Sequence, residues 1–87
     1  MGAMYWVYVL EAEDKGWYIG YTANLKKRLD AHKSGYGSQT TSAKGGWDLI
    51  YCEGYKSKKD AEGRERFLKS GSGRKFLKKQ MRNYFDE

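Results

Sequence analysis

A small α+β fold is what this 87-residue sequence predicts: a largely antiparallel three-stranded sheet flanked by three helices, in the order β-β-α-β-α-α. Three observations carry the prediction. Two runs of aromatic and β-branched residues flank a short turn signal near the start. Two later segments combine an apolar stripe with dense basic charge and end in Ser/Gly clusters, as helices do. The length allows one domain and leaves no room for a second.

The elements follow in order. Tyr5-Trp6-Val7-Tyr8-Val9-Leu10 reads as a strand, Asp14-Lys15-Gly16 as a turn, and Trp17-Tyr18-Ile19-Gly20-Tyr21 as a second strand, so the pair forms a hairpin. Both strands are apolar on both faces, which implies a sheet covered on more than one side. Thr22 or Asn24 can cap a helix that runs to about Lys33 and stops at Ser34-Gly35. Tyr36 to Gly46 reads as a loop and Trp47 to Glu53 as a third strand. Ser57-Lys58-Lys59-Asp60 has the form of a capping box and opens a second helix that ends near Ser70-Gly71-Ser72-Gly73. Arg74 to Tyr84 is predicted as a third, strongly basic helix. The domain is expected over residues 4–84, with 85–87 as a tail and 1–3 as a cloning remnant or disordered start.

Composition excludes several classes. The aromatic fraction of 16% supplies enough apolar surface for a core and argues against full disorder. No stretch approaches the ~20 apolar residues of a membrane span, and the run Tyr5 to Leu10 is too short and lacks the basic flank of a signal peptide. The single cysteine, Cys52, closes no intrachain disulfide, which points to a reducing cytoplasm. The net charge of +6 is unevenly spread: residues 56–83 carry eleven Lys and Arg against three Asp and Glu, and residues 24–36 carry four against one. A one-sided basic field favours a polyanionic partner, most simply nucleic acid; the bland alternative is that the lysines only solvate a small domain.

Several residues break local rules. On a wheel of roughly 100° per residue, Arg28 and His32 fall inside or beside the stripe set by Leu25 and Leu29. An arginine there is costly unless paired, or unless its stem snorkels to the surface. On the second helix Glu65 lies at the edge of an arc formed by Ala61, Phe67 and Leu68, while Glu62 points elsewhere. Tyr8 and Tyr18 share one face of the hairpin if the register has even parity, and Gly20 leaves a space on that face. Each oddity alone has a structural explanation. Together they suggest one pocket with two phenols, a guanidinium, an imidazole and a carboxylate.

The segment Tyr18-Ile19-Gly20-Tyr21-Thr22-Ala23-Asn24-Leu25-Lys26-Lys27-Arg28-Leu29-Asp30-Ala31-His32 closely resembles the second signature block of the GIY-YIG nuclease superfamily: Y-I-G, then T-x-N/D-L, then R, then H. Trp6-Val7-Tyr8 stands where the first triplet belongs, with tryptophan for its glycine, valine for its isoleucine and the tyrosine kept. Ala61 to Lys69 is similar to the family's A-x-x-x-E-x-x-L-K helix, which puts the family glutamate at Glu65. The resemblance covers nearly all of residues 4–80 and is closest to the small bacterial single-domain members.

That resemblance implies metal-dependent hydrolysis of DNA phosphodiesters, leaving 5′-phosphate and 3′-hydroxyl ends, in DNA repair, recombination or processing. It implies Tyr8, Tyr18, Arg28, His32 and Glu65 as catalytic residues, with Glu65 holding one divalent cation, Mg²⁺ or alternatively Mn²⁺. Such hard cations take oxygen ligands and keep several waters, so a single carboxylate suffices. Arg28 offers a planar fork for a phosphate. The base is either Tyr8 or Tyr18. A free phenol has a pKa of about 10, which a nearby guanidinium or cation would lower, and His32 would assist or orient a phenol. Asn83 is the one late asparagine matching a C-terminal family position. DNA contacts are expected from Gly20, Lys26, Lys27, Lys33, Arg64, Arg66, Lys69, Arg74 and Lys75, with Lys78, Lys79 and Arg82 extending the basic block. The loop Ser34 to Gly46 is expected to serve mainly as a connector.

With no appended DNA-reading domain in view, specificity is expected to be weak, structure-selective or supplied by a protein partner. The first alternative is a nucleic-acid-binding module with little or no catalysis; the second is a protein-interaction domain with a basic surface. Zinc-finger spacing, H-E-x-x-H, G-x-S-x-G and a phosphate-cradling glycine loop are all missing from the sequence.

Overall fold

The computed structural model describes residues 3–33 and 46–86. Expectations placed on residues 34–45, and on the Lys33 side chain, lie outside the described residues. Strand β1 (Tyr5–Glu11) pairs antiparallel with β2 (Trp17–Thr22) on one side and with β3 (Asp48–Tyr55) on the other, in the order β2-β1-β3. The hairpin turn closes through Ala12 N–H to the Gly16 carbonyl at 2.8 Å and Gly16 N–H to Asp14 Oδ1 at 2.9 Å. Its left-handed position (φ 71°) is taken by Lys15 and not by the adjacent glycine.

Being central, β1 is buried from Val7 through Glu11 on both faces, as its unbroken apolar run implied. Its alternation sorts two layers. Val7 and Val9, with Ile19 of β2, form the core with Ala61 and Leu68 of α2 (Lys58–Lys69) and Leu77 of α3 (Gly71–Gln80). Tyr8 and Leu10 face the other way, where His32 of α1 (Leu25–Lys33) lies buried among them. A register shift between Val9 and Leu10 marks a bulge against β3.

Caps account for most helix ends. Asn24 is the cap of α1: its Oδ1 accepts from Lys27 N–H at 3.0 Å, and Thr22 Oγ1 in turn accepts from Asn24 N–H at 3.1 Å. At α2, Ser57 Oγ accepts from Asp60 N–H at 3.4 Å. The largest departure from the sequence reading is at Ser70–Gly73, which is a one-residue joint and not a gap between helices. Ser70 ends α2 and caps α3 at once, donating through its Oγ to the Phe67 carbonyl at 2.6 Å and accepting from Gly73 N–H at 3.1 Å. Gly73 is buried, and a Cβ there would overlap the Phe67 carbonyl, so only glycine lets the two helices meet this closely.

The last predicted helix is also divided. Met81 interrupts it, and a short α4 (Arg82–Asp86) follows. Phe85 lies 5.6 Å from the Trp17 ring and the Tyr84 hydroxyl donates to Glu11 Oε1 at 2.6 Å, so these residues belong to the packed fold and the expected tail at 85 does not begin there.

Candidate active site

A cavity of about 530 Å³ opens at the end of the hairpin remote from its turn, where β1 begins and β2 ends. Tyr8, Tyr18, Arg28 and Glu65, contributed by four elements, all line it. The register pairs Tyr8 with Gly20 and Leu10 with Tyr18, so its parity is even and the two phenols share a face. Their ring centroids are 6.2 Å apart. Gly20 makes this arrangement possible: a Cβ there would stand 2.7 Å from the Tyr8 hydroxyl and 2.9 Å from its Cζ. Assigned in sequence to DNA contact, Gly20 lines the cavity as the floor on which the Tyr8 ring lies.

His32, 4% exposed, stands behind the phenols, its ring 5.9 Å from Tyr8 and 5.0 Å from Tyr18. Its Nε2 is 3.2 Å from the Tyr8 hydroxyl. Burial, and to a lesser degree the Arg28 charge, hold its pKa below the usual histidine value, so the ring is neutral at pH 7. Tyr8 behaves opposite to the sequence expectation. Arg28 does act to lower its pKa, but burial acts more strongly and the Tyr18 and Glu65 groups add to it, so the phenol is pushed well above its ordinary value. Tyr8 is thus a protonated group at neutral pH.

Arg28 is exposed at the cavity wall and is not folded into the apolar stripe that its helical position suggested. Among the described residues no carboxylate forms an ion pair with it. Glu65 projects from α2 with its side chain 17% exposed and pairs with Lys69 one turn on, at 3.4 Å. The donor set suits a hard cation: one carboxylate, phenolic oxygens and room for water. Among the described residues no group of three or more His, Cys, Asp and Glu side chains gathers to hold a metal, and Cys52 lies exposed on the edge strand β3. A thiolate- or imidazole-rich centre therefore does not fit.

The basic residues fare unequally. Lys26 and Lys27 are exposed on α1, and Arg66, Lys69, Arg74 and Lys75 on α2 and α3. Arg74 also stacks on Trp17, its Cζ 5.5 Å from the ring centroid. Arg64, expected to contact DNA, is engaged within the fold. Its Nε donates to Glu53 Oε1 at 2.6 Å, and its guanidinium lies 5.3 and 5.1 Å from the rings of Phe67 and Phe76, so its charge is spent inside the fold. Asn83 sits on α4 beside Tyr84, which is bonded to Glu11 at the turn end of the hairpin, and it does not line the cavity. Five lining residues were not assigned to the site from the sequence: Tyr5, Tyr21, Thr22, Ala23 and Lys58. The Tyr21 hydroxyl donates to Glu62 Oε1 at 3.3 Å, which ties β2 to α2. Only the position of Lys58, seven residues before Glu65 on one helix, hinted at a shared face.

Known proteins bear on this geometry. A family model described as the GIY-YIG catalytic domain matches residues 4–80. The chain is 39% identical over 66 residues to the UPF0213 protein CPE1444 of Clostridium perfringens, covering 76% of this chain and 71% of that protein. It is 44% identical over 64 residues to a UPF0213 protein of Streptococcus pneumoniae serotype 4, covering 74% and 65%. This chain thus spans only about two thirds of the length of the latter. Among solved structures it is similar to the solution NMR structure of the UPF0213 protein BH0048 from Bacillus halodurans, with a TM-score of 0.57 and 31% identity over 90% of this chain and 85% of that one. A family match over nearly the whole domain, with relatives of this identity, places the chain in the GIY-YIG family of nuclease domains.

Proposed function

We propose that the protein is a divalent-metal-dependent DNA endonuclease that hydrolyses phosphodiesters to 5′-phosphate and 3′-hydroxyl ends. The observation that carries this reading is the convergence of Tyr8, Tyr18, Arg28 and Glu65 on one cavity, with His32 bonded to Tyr8 behind them. Glu65 would hold the cation, Mg²⁺ or Mn²⁺, and the bound ion supplies charge neutralisation at the phosphoryl and departing 3′ oxygens.

The chain's own residues do the rest. Arg28, exposed and without a carboxylate partner among the described residues, grips the scissile phosphate through two parallel hydrogen bonds. Tyr8 is too heavily protonated to act as a free phenolate. It works instead as a relay: its oxygen accepts the proton of the attacking water as its own hydrogen passes to His32 Nε2. That ring is neutral and able to accept in the tautomer with its hydrogen on Nδ1. Tyr18 closes the other side of the water's approach. Lys26, Lys27, Arg66, Lys69, Lys75 and Arg74 give affinity without sequence preference.

Plasmid nicking with Mg²⁺ and an EDTA control tests the reading. The expected result is EDTA-sensitive nicking that Glu65→Ala and Arg28→Ala each abolish while circular dichroism stays native. Undiminished nicking by both pure variants would remove the proposal. DNA binding without nicking in the wild type would favour a binding module.

A further inference from the structure

The cavity is larger than one scissile phosphate needs and carries a second wall. Tyr8, Tyr18 and Arg28 form the first, on the even-numbered face of the hairpin. Tyr5, Tyr21 and Lys58 form the second, around the end of β2, on the side where α2 packs. Lys58 and Glu65 are seven residues apart on α2, so they project from the same side, about 10 Å apart along the axis. Lys69 is paired with Glu65, whereas no carboxylate among the described residues forms an ion pair with Lys58. Its wall is held in place by the Tyr21–Glu62 hydrogen bond at 3.3 Å.

We infer that Lys58, flanked by Tyr5 and Tyr21, forms a subsite for a phosphate neighbouring the scissile one, so that the cavity takes a strand with at least two consecutive phosphates. The inference rests on the nuclease reading for its choice of substrate. Arg28 and Glu65 engage the phosphate to be cut. Lys58 engages its neighbour and holds the strand along α2.

The test compares Lys58→Gln with Lys59→Gln, which removes the same charge one residue away, outside the cavity lining. Binding of a fluorescein-labelled single-stranded oligonucleotide is followed by anisotropy in EDTA across a salt series. A dinucleotide and a trinucleotide, with one and two internucleotide phosphates, serve as competitors. Lys58→Gln is expected to weaken binding about tenfold. It should reduce the salt slope by about 0.7 and abolish the preference for the trinucleotide. Lys59→Gln should keep that preference. Equal behaviour of the two variants overturns the subsite, even if plasmid nicking proves the enzyme active. A Lys58-specific loss without any Mg²⁺-dependent nicking by the wild type keeps the subsite and removes the nuclease reading. No binding at low salt removes both.

Discussion

The two faces of the sheet are built by the same strands on opposite principles. On the odd-numbered face Val7, Val9 and Ile19 meet Ala61, Leu68 and Leu77, and burial of aliphatic surface does the work. On the even-numbered face Tyr8, Tyr18 and His32 pack ring against ring, and a polar contact at 3.2 Å is enclosed with them. The first arrangement is indifferent to proton positions; the second is not. Burial raises the Tyr8 pKa and lowers that of His32, so the tyrosine face has its two groups neutral together. A fold this small can keep titratable groups beside its cavity because the opposite face supplies most of the apolar core.

Substitutions can separate the two faces. The largest loss is expected on the aliphatic side. Gly73→Ala sets a Cβ against the Phe67 carbonyl, a backbone atom that cannot swing away. Urea titration should show about 4 kcal/mol or more lost, or no folded protein. Leu68→Ala leaves a cavity beneath α2 and should cost about 2–5 kcal/mol in the same measurement, with the remaining folded fraction still able to nick DNA.

Changes on the tyrosine face should cost less stability and more activity. Gly20→Ala forces the Tyr8 ring off its floor, with an expected loss of about 1–3 kcal/mol and a fall in nicking far beyond the change in folded population. Tyr8→Phe removes the hydroxyl at His32 Nε2, costs about 1–2 kcal/mol, and should reduce kcat with little effect on DNA binding. If Tyr8→Phe left kcat intact, the relay would pass to Tyr18 or vanish.

The smallest effect is on titration. His32 is the only histidine in the chain, so its proton NMR midpoint is read without assignment. That midpoint should lie below 6.5 and move upward in Arg28→Ala, since the guanidinium is one of the two causes holding it down. The consequence for stability follows from linkage. Below about pH 6.5 the unfolded chain binds the His32 proton more readily than the native one, so this contribution is present above that pH and lost as pH falls. Tyr8 acts at the other end. Its contribution is complete below about pH 10 and lost as pH rises further, because the unfolded phenol ionises first. Unfolding midpoints measured from pH 5.5 to 7 should therefore rise with pH, and His32→Gln should flatten that slope.

Most of the architecture was legible because it depends on local rules. The apolar runs Tyr5–Leu10 and Trp17–Tyr21 and the cap at Ser57 act within a few residues of themselves and appear where the sequence put them, and of the two cap candidates Thr22 and Asn24 the helix uses Asn24. The misreadings have a common source. Ser70–Gly73 resembles a linker until α2 and α3 are seen to need a glycine where they touch. Arg64 reads as an open cation until β3 brings Glu53 to 2.6 Å of it.

Read alone, the amino-acid order determined the element sequence, the family and the chemical types of the five candidate catalytic residues, because caps, periodicity and motif spacing are written along the chain. Three matters were left to the tertiary structure: that Tyr8 is made less acidic by burial despite Arg28, that Arg28 faces the cavity while Arg64 is ion-paired, and that Lys58 lines the same cavity as Tyr8 and Tyr18. Desolvation and ion pairing depend on which distant residues become neighbours, and those neighbours are set by packing.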